Sequence, residues 1–212
     1  MRILARKPQT AAQGFCARAL AIAALVSALL FFPAREANAQ WFLFGRAQKR
    51  YDRCVELYTA REFEAARECI RDFLLNYPNS RWVEHLQFVD ARLETNVDAA
   101  RAKLHRFVQE FPSGPYSDQA NFDLAEIFEF EGDYATAQKF YMQVYLYFLL
   151  SEFRDDSGLR AAKCMLLGGD SESAKRHLEI YLTANPPRPW RSRAKELYAD
   201  VLYQDGELLK AQ

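Results

Sequence analysis

Phe63–Pro78 reads F-E-A-A-R-E-C-I-R-D-F-L-L-N-Y-P, and Val97–Pro112 reads V-D-A-A-R-A-K-L-H-R-F-V-Q-E-F-P. Their closing prolines stand 34 residues apart. Phe63 matches Val97, Ala66 matches Ala100, Ile70 matches Leu104, Phe73 matches Phe107 and Tyr77 matches Phe111. A third copy closes at Pro186, 74 residues beyond Pro112, with Ala174, Leu178 and Tyr181 in the matching places. Self-similarity at this period is the mark of stacked helical hairpins, each unable to bury its apolar face alone.

Working outward in that register, a small residue recurs in the first helix of each unit at Cys54, Ala125, Ala162 and Ala199. Another recurs in the second helix at Ala66, Ala100, Ala137, Ala174 and Ala211, and a glycine falls between helices at Gly132, Gly169 and Gly206. Small side chains let antiparallel helices approach closely, glycine tolerates the positive φ of a tight turn, and proline stops the second helix. Repeat two departs, with Phe88 at the small position and Thr95 at the glycine position, so its hairpin is expected to be wider or tilted. Repeat three carries Leu149 where the proline would stand. Its second helix, Tyr141–Leu150, is apolar nearly all round and is expected at the centre of the core, with a partner-binding face as the alternative.

These phrases resemble the tetratricopeptide repeat (TPR). The resemblance implies an all-α, right-handed superhelical solenoid of about four and a half hairpins: 47–80, 81–114, 118–151, 155–188 and a partial copy over 192–212. Y-P-N-S at Tyr77–Ser80 and F-P-S-G-P-Y-S-D-Q-A-N-F-D-L-A from Phe111 are similar to repeats of Gram-negative periplasmic proteins, of the outer-membrane-assembly and envelope-constriction-coordinator type. Those proteins are scaffolds, so the subgroup resemblance implies a cell-envelope context.

The first 39 residues read as a leader rather than as fold. Arg2, Arg6, Lys7 and Arg18 precede the uncharged run Ala19–Phe32, and Ala37-Asn38-Ala39 offers a small-residue cleavage site before Gln40. That order is the secretory signal-peptide pattern, and the run is short of the roughly 17–25 residues a membrane span needs. The reading is export to the periplasm by cleavage; retention of the leader as an inner-membrane anchor is the alternative. The leader holds five of the 28 basic residues and one of the 28 acidic residues, so the remainder carries 23 against 27, a formal charge of −4. A mildly acidic, mixed surface excludes the basic footprint of nucleic-acid binding.

Catalytic and metal motifs are absent from the sequence. His85, His105 and His177 stand in no H-E-x-x-H and have no paired cysteine spacing, and no G-x-S-x-G, Walker loop or G-x-G-x-x-G occurs. Asp155-Asp156 is expected to begin a helix, where negative charge complements the helix dipole. The chain therefore reads as a non-enzyme without metal or cofactor. Past the leader, Cys54, Cys69 and Cys164 remain. Cys54 and Cys69 fall on the two helices of one hairpin; they bridge only if their Cα atoms come within about 7 Å, and otherwise pack as small apolar residues.

Helix A lines the concave surface in the resembled family, so its outward residues are the expected partner-binding set. Here these are Tyr51, Tyr58, Trp82, His85, Arg92, Phe122, Glu126, Glu129, Lys163, Arg193 and Tyr203. Aromatic and arginine side chains are the usual anchors of protein interfaces. Trp41, Phe42, Leu43 and Phe44 form a second apolar feature, which either caps the stack or touches a membrane or partner. The expected function is a periplasmic scaffold or adaptor that binds envelope proteins or peptides along its concave face, in outer-membrane assembly or envelope maintenance. Two alternatives stand beside it. One is an inner-membrane-anchored subunit of a translocon or chaperone network. The other is the N-terminal repeat module of a larger enzyme or secretion component, suggested because Gly206–Gln212 matches Gly132–Gln138, a turn and about one turn of the helix after it.

Overall fold

The computed structural model describes residues 45–204 and Gly206. The leader 1–39 and the apolar segment 40–44 lie outside the described residues, as does Ala211. The chain divides after Arg53. In the first unit, residues 45–53 are helical, and Gln48 Nε2 donates to Asp52 Oδ1 one turn on, at 2.7 Å.

The second unit starts with helical residues 54–59 (α1) and continues through α2 (Phe63–Asn76), α3 (Val83–Arg92), α4 (Val97–Glu110) and α5 (Ser117–Glu131). It ends with α6 (Tyr134–Tyr147), α7 (Arg154–Leu167), α8 (Ser171–Thr183) and α9 (Arg188–Gln204). No strand occurs among the described residues. From α2 onward each helix packs on its neighbours in the chain, and α7 also meets α9. Contacts confined to neighbours are what make a solenoid quasi-one-dimensional.

The even-numbered helices show how the sequence dictates this. α2 buries Ala66, Cys69, Ile70 and Phe73, and α8 buries Ala174, His177, Leu178 and Tyr181 at the same spacing. Steps of three, one and three residues place four side chains on one stripe of a 3.6-residue helix. Full burial of each large apolar member stabilises by about 1.5–3 kcal/mol. Between the stripes lie three aromatic-rich clusters, the first around Phe88, Leu104, Phe107 and Leu124. The second gathers Phe122, Tyr141 and Val144, and the third Tyr145, Leu159, Leu178 and Tyr181. Phe88 fills the place of a small residue by packing against Phe107 at 5.6 Å and Tyr116 at 5.3 Å. Gly158 inside α7 permits a close approach of α6, since a Cβ there would lie 2.9 Å from the Tyr145 ring.

The turns follow a consistent chemistry except in the first hairpin and, at the glycine position, in the second, where Thr95 stands. Gly132, Gly169 and Gly206 have φ of 82°, 87° and 66°. Asn96, Asp133 and Asp170 then cap the following helices, accepting hydrogen bonds from the amides of Ala99, Thr136 and Ser173. In the first hairpin the equivalent positions are Arg61, at φ 62°, and Glu62, which makes no capping bond. That hairpin is closed covalently instead. Cys54 and Cys69 are disulfide-bonded with Cα atoms 5.4 Å apart, and Cys164 is free and buried, its thiol pushed up to about 12 chiefly by burial.

Two expectations need correction. The fifth A helix begins at Arg188 rather than near Ser192, and its buried small residue is Ala194, while Ala199 is exposed. Pro187 and Pro189 fall at the very start of that helix, where a missing amide proton costs nothing. The segment Tyr141–Leu150 is only half core: Tyr141, Val144 and Tyr145 are buried, but Leu146, Tyr147, Leu149 and Leu150 face solvent. The helix ends at Tyr147, so the last residues of the run leave the stripe.

Candidate functional face

Five side chains converge where α5, α6 and α7 meet, and Arg160 is their hub. Its Nη1 donates to Glu129 Oε2 at 3.2 Å and to the Tyr141 hydroxyl at 2.9 Å. Its Nη2 pairs with Glu126 at 3.0 Å, and its Nε with Asp156, one turn earlier, at 3.3 Å. The guanidinium also rides over the Phe122 ring at 5.2 Å. Glu129 in turn accepts from the Tyr141 hydroxyl at 2.7 Å and from Lys163 Nζ at 3.0 Å. Partial burial works against the charge on Glu129, but the bonds from Tyr141 and Lys163 outweigh it and hold the carboxyl below its ordinary range. The same burial, with the neighbouring carboxylate, pushes the Tyr141 phenol up, so it stays a neutral donor. Every fork of the guanidinium is occupied, which locks three helices in one geometry.

Phe130 stands beside this network with 89% of its surface exposed. It forms a wall shared by two shallow grooves. One, about 380 Å³, runs past Arg92, Asp123, Glu126 and Ile127; the other, about 510 Å³, runs past Glu129, Tyr134, Lys163 and Leu167. Arg92 Nε pairs with Asp123 Oδ2 at 3.2 Å. Burial raises the Asp123 carboxyl more than Arg92 lowers it, leaving it at about 6. At the far side of the first groove Glu94 receives Lys103 at 2.9 Å and Arg67 at 3.1 Å, and the bond from Lys103, assisted by both charges, lowers it to about 2.

The structure thus brings together Glu126, Glu129 and Lys163 of the expected set, with Arg92 joined through Asp123. The others lie apart. Tyr58 packs near Phe63 at 6.3 Å, and His85 stacks on Tyr116 at 4.9 Å, where burial lowers its basicity. Arg193 covers the Trp190 ring at 5.0 Å, Tyr203 is exposed, and Tyr51 belongs to the 45–53 unit. Two expected anchors do not face outward. Phe122 is 7% exposed because it packs between Tyr141 and Phe153, and Trp82 is 9% exposed with Arg81 covering its ring. The sequence reading missed Arg160 and Phe130. An Asp156–Arg160 pair at i, i+4 was a usable signal for the first. For the second the sequence carries no comparable signal, since α5 also buries Phe122 and Leu124, which stand two apart.

Among the described residues no group of three or more His, Cys, Asp or Glu side chains is arranged to hold a metal ion, and no helix is long and apolar enough to cross a membrane. The face offers paired charges around an apolar knob.

No protein-family model matches the chain, and no curated protein matches it significantly. Solved structures do. A kinesin light chain-like protein of Podosopora anserina with nearly identical TPR-like repeats is similar at TM-score 0.57 and 17% identity, over 80% of this chain and 91% of that one. MamA protein is similar at TM-score 0.51 and 13% identity, over 77% of this chain and 94% of that one. Pseudomonas aeruginosa PilF follows at 0.50 and 16%, over 77% and 70%. At such identities the likeness speaks to the fold alone, and the fold of this chain is a solenoid of TPR-like helical hairpins.

Proposed function

We propose that this chain is a non-enzymatic adaptor that docks a protein or peptide segment on the face built by α3, α5 and α7, with Phe130 as its apolar anchor. The observation that carries this reading is the exposure of Phe130 between two grooves on otherwise rigid, fully paired surroundings. A pre-organised face spends little ordering entropy on binding. TPR-like neighbours support a binding role over catalysis.

We place its work in the cell envelope, as a periplasmic protein released from its leader. The Cys54–Cys69 disulfide supports this, since such bonds persist in oxidising compartments and are rare in the cytosol. Envelope proteins, including those of outer-membrane assembly and maintenance, are then the partner class. The test is cross-linking and pull-down from periplasm with intact-mass analysis of the bait. The expected result is a bait beginning at Gln40 that recovers envelope proteins, with recovery lost in Phe130→Ala/Arg92→Ala. Bait at uncleaved mass in the membrane fraction would sink the released-adaptor reading and favour an anchored subunit. Recovery unaffected by the double substitution would sink the face.

A further inference from the structure

Leu146, Tyr147, Leu149 and Leu150 sit within five consecutive positions at the end of α6 and are all exposed, Tyr147 by 75% and Leu150 completely. The solenoid does not require them. At the corresponding places repeat one has Leu75, Asn76, Pro78 and Asn79, and repeat two has Gln109, Glu110, Pro112 and Ser113. In both repeats these residues also face solvent. The same structural position is therefore filled mainly with polar residues and proline in two repeats and with leucine and tyrosine in the third. A fold-level demand would have acted on all three; an apolar cluster confined to one reports an interaction.

We propose that this patch is the seat of a second copy of the chain, forming a two-fold dimer. Three features select that occupant. The patch carries no charge of its own, so it is complementary to itself, as an isologous contact must be. At roughly 200 Å² for a large apolar side chain, its exposed fractions amount to about 600 Å² per copy. Two copies face to face then bury about 1,200 Å², the lower end of the range for a specific interface. A lipid surface fits less well, because it calls for flanking cations. The next charged residue along the chain is Glu152, and Arg154 is engaged with the Tyr145 carbonyl at 3.2 Å and with the Tyr145 ring.

Sedimentation equilibrium of the full chain between micromolar and hundred-micromolar concentration tests this, with Leu149→Ser/Leu150→Asn, Leu75→Ser as control, and Leu150→Cys for cross-linking. The expected result is a monomer–dimer equilibrium that the double substitution weakens at least about tenfold. Leu75→Ser leaves it unchanged, and Leu150→Cys cross-links to itself under oxidation. Unchanged far-ultraviolet circular dichroism shows that the variants fold. A monomer throughout, or a dimer indifferent to Leu149 and Leu150, overturns the proposal. So does a monomer that co-sediments with phosphatidylglycerol vesicles through this patch, which would assign the patch to lipid.

Discussion

The first hairpin and the central ones solve the same problem by different means. The α5–α6 and α7–α8 hairpins have glycines at their turns, aspartates capping α6 and α8, an aromatic core and the Arg160 network. α1 and α2 have Arg61 in the left-handed region, no side-chain cap at Glu62 and a disulfide. Where local turn chemistry is poor, a covalent bond offsets the deficit by restricting the unfolded chain. Where turn chemistry and packing agree, none is needed.

The comparison breaks most decisively at Tyr141, which is fully buried and donates to Glu129. Tyr141→Ala should cost about 4 kcal/mol, read as a lower urea midpoint, and should loosen α5 to α7 together. Next comes the staple. Its loop spans 15 residues, so Cys54→Ala/Cys69→Ala should cost about 3 kcal/mol. Hydrogen exchange should show that loss in α1 and α2 while α5 to α7 keep their protection; uniform loss would refute the contrast. Arg61→Gly goes the other way. Relieving a left-handed arginine should stabilise the first hairpin by about 1 kcal/mol, and an equal gain in the reduced protein would show that turn and staple act independently.

These same residues show what the sequence made legible. The repeat register located Gly132, Gly169 and Gly206 because only a backbone demand recurs so strictly, and all three take positive φ. It could not show that Arg61 occupies the same conformation, because arginine carries no turn signal of its own. The charged site was half legible: Glu126, Glu129 and Lys163 could be placed on outward positions, yet Arg160 could not be recognised as their hub. Its partners come from three helices, and convergence across helices is a property of packing. Phe122 was misplaced for the opposite reason, since it sits where a repeat position usually faces the groove but is covered by Tyr141 and Phe153.

Smaller effects come from pH, and two neighbouring carboxyls should act with opposite sign. Glu94 is lowered to about 2, so the stability it contributes is present above about 4.5 and is lost as pH falls through 2. Asp123 is raised to about 6; its contribution is present below about 3.8 and is lost as pH rises through 6. Urea midpoints across pH should therefore flatten at the acid end in Glu94→Gln, and between pH 4 and 6 in Asp123→Asn. Slopes unchanged in both variants would remove the account of these pairs.

The central claim is that heterologous partners dock on the face around Phe130 and not at the outward end of α2. Site-specific photo-cross-linking in cells, with the reactive side chain placed in turn at Phe130 and at Leu75, tests it directly, since both positions are well exposed. The account predicts a discrete heterologous adduct from position 130 and none from 75. Adducts from 75 alone, or equally from both, would contradict it.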